Sequence, residues 1–157
     1  MKTQIKNKIA KQWIAEAENV MNIKILKINT AEIIRVETKK ILIVNKEPIL
    51  IIDDKTGTYL PYITGLDKFI FCPYIIVDMG AVPYIVNGAQ VMMPGIIEKQ
   101  HFQKGEFVQI KEEKYLKTLA VGEAIVSSDE IINTNKGKAI KTQHFIGDIY
   151  WNAGKNI

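Results

Sequence analysis

The chain reads as an α+β protein: an N-terminal helix packed on an antiparallel sheet, followed by a C-terminal small β-barrel with short helices. Three observations carry this expectation. Apolar residues recur at near-helical spacing over residues 4–21. Short β-branched runs separated by turn residues fill residues 23–52. Beyond Cys72-Pro73, short apolar stretches alternate with Gly and Pro, a pattern that suits many short strands, two small helices and a small closed barrel.

Taken in order, Ile5, Ile9, Trp13, Ala17 and Val20 form the apolar side of the first helix, with Lys6, Asn7, Lys11 and Glu18 elsewhere on the wheel, so this helix should lie on a sheet. Residues 23–28 alternate as Ile-Lys-Ile-Leu-Lys-Ile, and residues 33–37 and 41–44 continue in strand-like runs. Asn45-Lys46-Glu47 turns the chain into residues 49–52, and Asp53-Asp54-Lys55-Thr56-Gly57 is a second turn. Residues 64–69, near Gly65, are expected as a further short helix. The Cys72-Pro73 junction is short and poor in Gly and Ser, which predicts halves packed rigidly, with domains at 1–73 and 74–157.

Past the junction, Tyr74-Ile75-Ile76-Val77 reads as a short buried strand. Pro83 falls in the first turn of a helix over residues 82–87, where its missing N–H costs nothing. Asn87-Gly88 ends that helix because glycine accepts a positive φ, and Pro94-Gly95 is turn chemistry. Strands are expected near residues 95–98, 107–112, 118–126, 138–141 and 144–147. Ser127-Ser128-Asp129-Glu130 fits a capping box opening one turn of helix. Order is expected throughout, apart from residues 153–157.

Composition bounds the function. With 157 residues, 47% hydrophobic and 24% charged, the chain can bury a core of ordinary globular kind. The single cysteine, Cys72, excludes an internal disulfide and suits a reducing, cytoplasmic setting. No apolar run approaches the roughly 18 residues of a membrane helix. The lysine-rich start invites comparison with a transit peptide, against which Glu16, Glu18 and the lack of arginine there argue. The net charge of +4 lies in the first half: residues 1–74 hold 12 basic and 8 acidic groups, residues 75–157 hold 9 of each. Arg35 is the sole arginine, so bidentate guanidinium reading of bases is almost absent.

Catalytic patterns fare poorly. Cys72 with His101 or His144 would make a nucleophile and base, yet Cys72 beside Pro73 between aromatics reads as a small buried hydrophobe. Two histidines and one cysteine make no structural zinc site without carboxylates, so no metal or cofactor is expected. Asp53-Asp54 followed by Lys-Thr-Gly is a solvated turn. Lys136-Gly137-Lys138 lacks phosphate-loop spacing, which leaves its lysines either contacts to a phosphate or a solvated loop.

Several motifs stand in order along the second half: Asp78-Met79-Gly80-Ala81, a helix, Gly88-Ala89 and Pro94-Gly95; then Lys104-Gly105-Glu106-Phe107-Val108; then Ala120-Val121-Gly122-Glu123-Ala124 before Ser127-Ser128; then Lys136-Gly137-Lys138-Ala139, His144 to Asp148, and Trp151. Over residues 74–152 the chain resembles a PUA domain, the RNA-binding module of pseudouridine synthases and archaeosine transglycosylases. The Asp-Met-Gly-Ala-Val-Pro and Val-Met-Met-Pro-Gly forms, with Tyr59-Leu60-Pro61 upstream, are most similar to the archaeal stand-alone PUA proteins. Those are related to the translation-machinery-associated and malignant T-cell-amplified proteins that work with density-regulated protein.

This resemblance implies a PUA-type barrel and a non-catalytic RNA-binding role in translation, since the chain before Tyr74 is too short for the catalytic domains such modules accompany. Implied partners are structured RNA (tRNA or rRNA), the small ribosomal subunit and a density-regulated-protein-like protein, with no membrane. RNA is implied to run over Gly80, Ala81, Gly88, Ala89, Pro94 and Gly95, where small side chains admit a ribose or phosphate and helix-start N–H groups favour an anion. Lys99, Lys138 and Lys141 are the phosphate candidates, and Tyr84 or His144 the stacking candidate. Val86, Val91, Val121, Ala124 and Trp151 read as core, which is also open for Tyr84, Met92 and Met93. Two other readings stay open: an accessory subunit of an RNA-modification complex, and a protein-interaction adaptor suggested by the uncharged second half.

Overall fold

The computed structural model describes residues 1–157, which divide into two units: Met1–Phe71 with Ile149–Ile157, and Cys72–Asp148. In the first, Lys2–Gln4 (β1) precedes the helix Asn7–Ala17 (α1), followed by Asn22–Ile23 (β2), Ala31–Val36 (β3), Lys39–Val44 (β4), Glu47–Asp53 (β5), Thr58–Pro61 (β6) and Ile70–Phe71 (β7). Five strands form one antiparallel sheet in the order β1-β3-β4-β5-β6, and β2 pairs separately with β7. Asn45 and Lys46 both take positive φ (51° and 70°) between β4 and β5, the geometry whose twist matches a two-residue hairpin loop.

The first helix is shorter than its spacing predicts and turned on its axis. Residues 2–4 pair instead with β3 as an edge strand, Lys2 opposite Ile34 and Gln4 opposite Glu32. Ala10, Ile14 and Ala17 are the buried positions of α1, while Ile9 and Val20 are exposed. Two alanines allow close approach to the sheet, which the larger residues of the predicted stripe would prevent. Residues 24–30 are not a strand: the Asn45 side chain donates to Lys27 O (2.7 Å) and accepts the amides of Asn29 (2.7 Å) and Thr30 (3.2 Å), which satisfies their backbone without a ladder. The helix expected over 64–69 shrinks to the 3-10 turn Ile63–Gly65.

Lys39 and Lys40, neighbours on β4, identify what covers each face of this sheet, because successive strand side chains point to opposite sides. The Lys40 ammonium lies 4.0 Å from the centroid of the Trp13 ring on α1. The Lys39 ammonium lies 5.3 Å from the ring of Tyr150, on the helix Ile149–Gly154. Both faces are therefore covered, and residues 41–44 and 49–52 are buried on both sides as continuous apolar runs. This corrects two expectations. Residues 149–157 belong with the first unit rather than the second, and residues 153–154 are helical, Gly154 being buried.

The second unit continues with Tyr74–Val77 (β8), Val82–Ile85 (α2), Val91–Met92 (β9), Ile96–Lys99 (β10), Phe107–Glu112 (β11), Thr118–Ala124 (β12) and Lys138–Phe145 (β13), which makes the terminal helix Ile149–Gly154 α3. Its sheet runs β10-β8-β11-β12-β13-β9, with β8 and β11 parallel and the rest antiparallel. The sheet curls around Ile75, Val77, Phe102, Val108, Ile110 and Ile140. The two strands expected at 138–141 and 144–147 are one long strand, interrupted only by a register shift opposite Val121 and Gly122. No ladder joins the edges β9 and β10, so the barrel expected to be closed is open, at a seam spanned by the 3-10 turn Met93–Gly95. The capping box forms as the spacing predicts, Glu130 accepting the Ser127 amide at 3.3 Å.

Candidate nucleic-acid interface

The seam is where the backbone lies bare. At the end of β8 the Asp78 amide donates to Gly95 O (3.0 Å), and its carboxylate accepts the Ala81 amide (2.9 Å), which pins the start of α2 against the Pro94-Gly95 turn. Pro83 sits in the first turn of α2, and Ile85 anchors that helix in the core. The helix closes on a left-handed glycine: Gly88 has φ 88°, its amide donates to Ile85 O (2.9 Å) and the Ala89 amide to Tyr84 O (3.0 Å). This is the paired bonding that satisfies the last carbonyls of a helix.

A cavity of about 480 Å³ remains between these pieces, with Gly80, Ala81, Tyr84, Ala89, Pro94 and Gly95 on its walls. Asp78, Ile85, Gln90, Val91 and Met92 complete the lining. Tyr84 is 70% exposed, so its ring is available at the mouth rather than spent in the core. Met92 is also exposed, and Met93 is buried. A methyl group built on Gly95 would meet only the Ala81 methyl, at 3.4 Å, so any larger side chain at 95 extends into the open space.

Six of the eleven predicted contact residues thus line one groove; the other five are not in its lining. Gly88 packs behind it, where an added Cβ would come within 3.0 Å of the Phe145 ring. Lys138 is the cross-strand partner of the groove residue Met92, which brings an exposed cation to the rim. Lys141 is exposed opposite Glu123, one residue from Thr142, whose hydroxyl donates to Ala89 O (2.8 Å). Lys99 points away: its ammonium donates to Ser128 O, in the 3-10 turn Ser128–Glu130, and to O of Ile131 just after it (3.1 Å). His144 is fully buried with Nδ1 2.8 Å from Asp148 Oδ2, so its ring cannot stack on a base. That carboxylate also takes the Phe145 amide at 3.0 Å, which terminates β13.

One electrostatic expectation also changes. The Met79 amide already donates to Glu113 Oε2 (2.8 Å), and the Ala81 amide to Asp78. Two of the chain's own carboxylates thus occupy helix-start donors that were expected to attract an anion, and Gly80 and Ala81 offer bare surface instead. Asp78 is visible in its motif; Glu113, 34 residues from Met79, carries no local signal.

The sequence of this unit decides its family: residues 73–146 match the PUA domain. The second unit is a PUA domain. The chain is 38% identical over 79 residues to an uncharacterized protein of Methanocaldococcus jannaschii, covering 50% of this chain and 49% of that one. It is 34% identical over 87 residues to translation machinery-associated protein 20 of Saccharomyces cerevisiae, covering 51% and 48%. The chain spans about half the length of these curated relatives. A crystal structure of a hypothetical protein from Pyrococcus horikoshii superimposes with a TM-score of 0.77 at 29% identity, covering 98% of this chain and 99% of that one. The likeness to that structure therefore extends over both units.

Proposed function

We propose that this chain is a non-catalytic RNA-binding protein associated with translation, whose PUA domain seats structured RNA in the groove between α2 and the barrel seam. The observation that carries this reading is an open groove walled by Gly80, Ala81, Ala89 and Gly95, with the exposed Tyr84 ring at its mouth and Lys138 on its rim. Small side chains let a ribose approach the backbone, and an exposed aromatic offers any base a stacking partner. The acceptor end of tRNA, with its unpaired nucleotides, fits this chemistry. The lysine-rich first unit is then the part that docks on the small ribosomal subunit or a density-regulated-protein-like partner. The single cysteine, Cys72, suits a reducing, cytoplasmic compartment, and no helix is long and apolar enough to cross a membrane.

Titrating tRNA against the wild type and Gly95→Leu tests the groove. The variant should bind at least tenfold more weakly, and equal binding would overturn the reading. Few phosphate contacts are on offer, so the salt dependence should be shallow: two lysines, Lys138 and Lys141, imply a log–log slope of about −1.4. A second reading, a protein adaptor that binds no RNA, draws on the zero net charge of residues 75–157. It predicts no tRNA shift in either protein.

A further inference from the structure

The hairpin between β11 and β12 ends on the same rim of the barrel as the groove. Glu112 at the end of β11 is the parallel register partner of Val77, the last residue of β8 before the groove wall. Glu113 extends this, because its carboxylate holds the Met79 amide next to Gly80. Glu112 turns inward and accepts the Tyr115 amide. Both acidic groups of the hairpin are thereby spent on backbone donors. What the tip presents to solvent is Tyr115, 75% exposed, and Leu116, 55% exposed, flanked by the exposed Lys114 and Lys117. The Lys114 ammonium sits 5.2 Å from the Tyr115 ring centroid. Leu116 holds a positive φ of 56°, a conformation unfavourable for leucine that core packing at this exposed position cannot be maintaining.

The location and charge of this exposed tip indicate what covers it. Met79, itself exposed and held by Glu113, lies between the tip and Gly80 of the groove, and the charged groups that flank Tyr115 are the ammoniums of Lys114 and Lys117. An aromatic ring between two lysines suits a single-stranded polyanion with bases to stack. We propose that the 113–117 tip extends the groove for single-stranded RNA, Tyr115 stacking on a base beyond those seated at Tyr84 while Lys114 and Lys117 contact the flanking phosphates. This rests on the groove reading above.

Oligoadenylates of four and eight nucleotides, titrated by fluorescence anisotropy, separate the two sites without assuming a strand direction. The wild type should bind the octamer more tightly than the tetramer. Tyr115→Ala, and separately Lys114→Ala with Lys117→Ala, should remove about tenfold of octamer affinity and leave the tetramer unchanged, with Tyr115→Phe restoring it. Gly95→Leu should weaken both lengths. If the tip variants keep the full length advantage while Gly95→Leu weakens both, the tip proposal is overturned and the groove stands; a tip that serves a protein partner gives this same result. If Gly95→Leu changes neither length, the groove reading fails and the extension falls with it.

Discussion

Tyr62 and Trp151, far apart in sequence, lie with ring planes 9° apart and centroids separated by 6.3 Å. The Tyr62 hydroxyl donates to the carbonyls of Tyr150 (3.2 Å) and Trp151 (3.0 Å), so one fully buried side chain fastens α3 to the first unit by both its face and its polar end. Gly154 completes the fit, since an added Cβ would fall 2.5 Å from that hydroxyl.

Removing either half of this contact should cost stability. Trp151→Ala, at a half-buried position, is expected to lower it by about 2 kcal/mol, and Gly154→Leu by roughly 1–3 kcal/mol through overpacking. Urea unfolding measures both. Midpoints equal to the wild type would mean that α3 is not anchored here.

Acid sensitivity should trace to Asp54. Its carboxylate is 2.7 Å from the Lys40 ammonium and 3.0 Å from the Arg35 guanidinium. The Lys40 hydrogen bond, reinforced by Arg35 and opposed by partial burial, holds the carboxyl below its ordinary 3.8. A depressed carboxyl contributes stability that is fully present above its unfolded value and is lost as pH falls through the folded value. Thermal melts of the wild type and Asp54→Asn should therefore differ by a constant amount at neutral pH and converge below about pH 4. Parallel curves into acid would contradict the assignment.

At the groove, Tyr84→Ala should weaken tRNA binding about tenfold through lost stacking. Because the ring is largely solvent-exposed, the melting temperature should stay where it is. A stability loss with unchanged affinity would make Tyr84 a packing residue.

Lysines of equal promise in the sequence should separate by phenotype. Lys99→Met strips a charged donor from the Ser128 and Ile131 carbonyls and should cost about 1.5–3 kcal/mol of stability with RNA affinity intact. Lys138→Glu should do the reverse. Isothermal titration beside thermal melts distinguishes them, and the opposite pattern would relocate the interface.

Local signals were legible. Gly88 after a short helix with Pro83 in its first turn, the Ser127 to Glu130 box and the apolar runs at 41–44 and 49–52 each depend on dihedral preference or burial within a few residues, and each took the form its spacing implies. The buried face of α1 lies about one residue from the apolar stripe its spacing predicts, because Ala10, a small residue, packs against the sheet where Ile9 does not.

The sequence by itself carried the second unit's succession of short strands, its Gly80-Ala81 and Pro94-Gly95 motifs and the scarcity of arginine, because motif order and composition require no knowledge of distant partners. Tertiary structure alone decided that α3 returns to the first unit, that Lys99 and His144 serve carbonyls and Asp148, and that Glu113 grips the groove wall. Each of those outcomes turns on a buried donor or acceptor finding whichever partner the folded chain brings within reach, which no local pattern encodes.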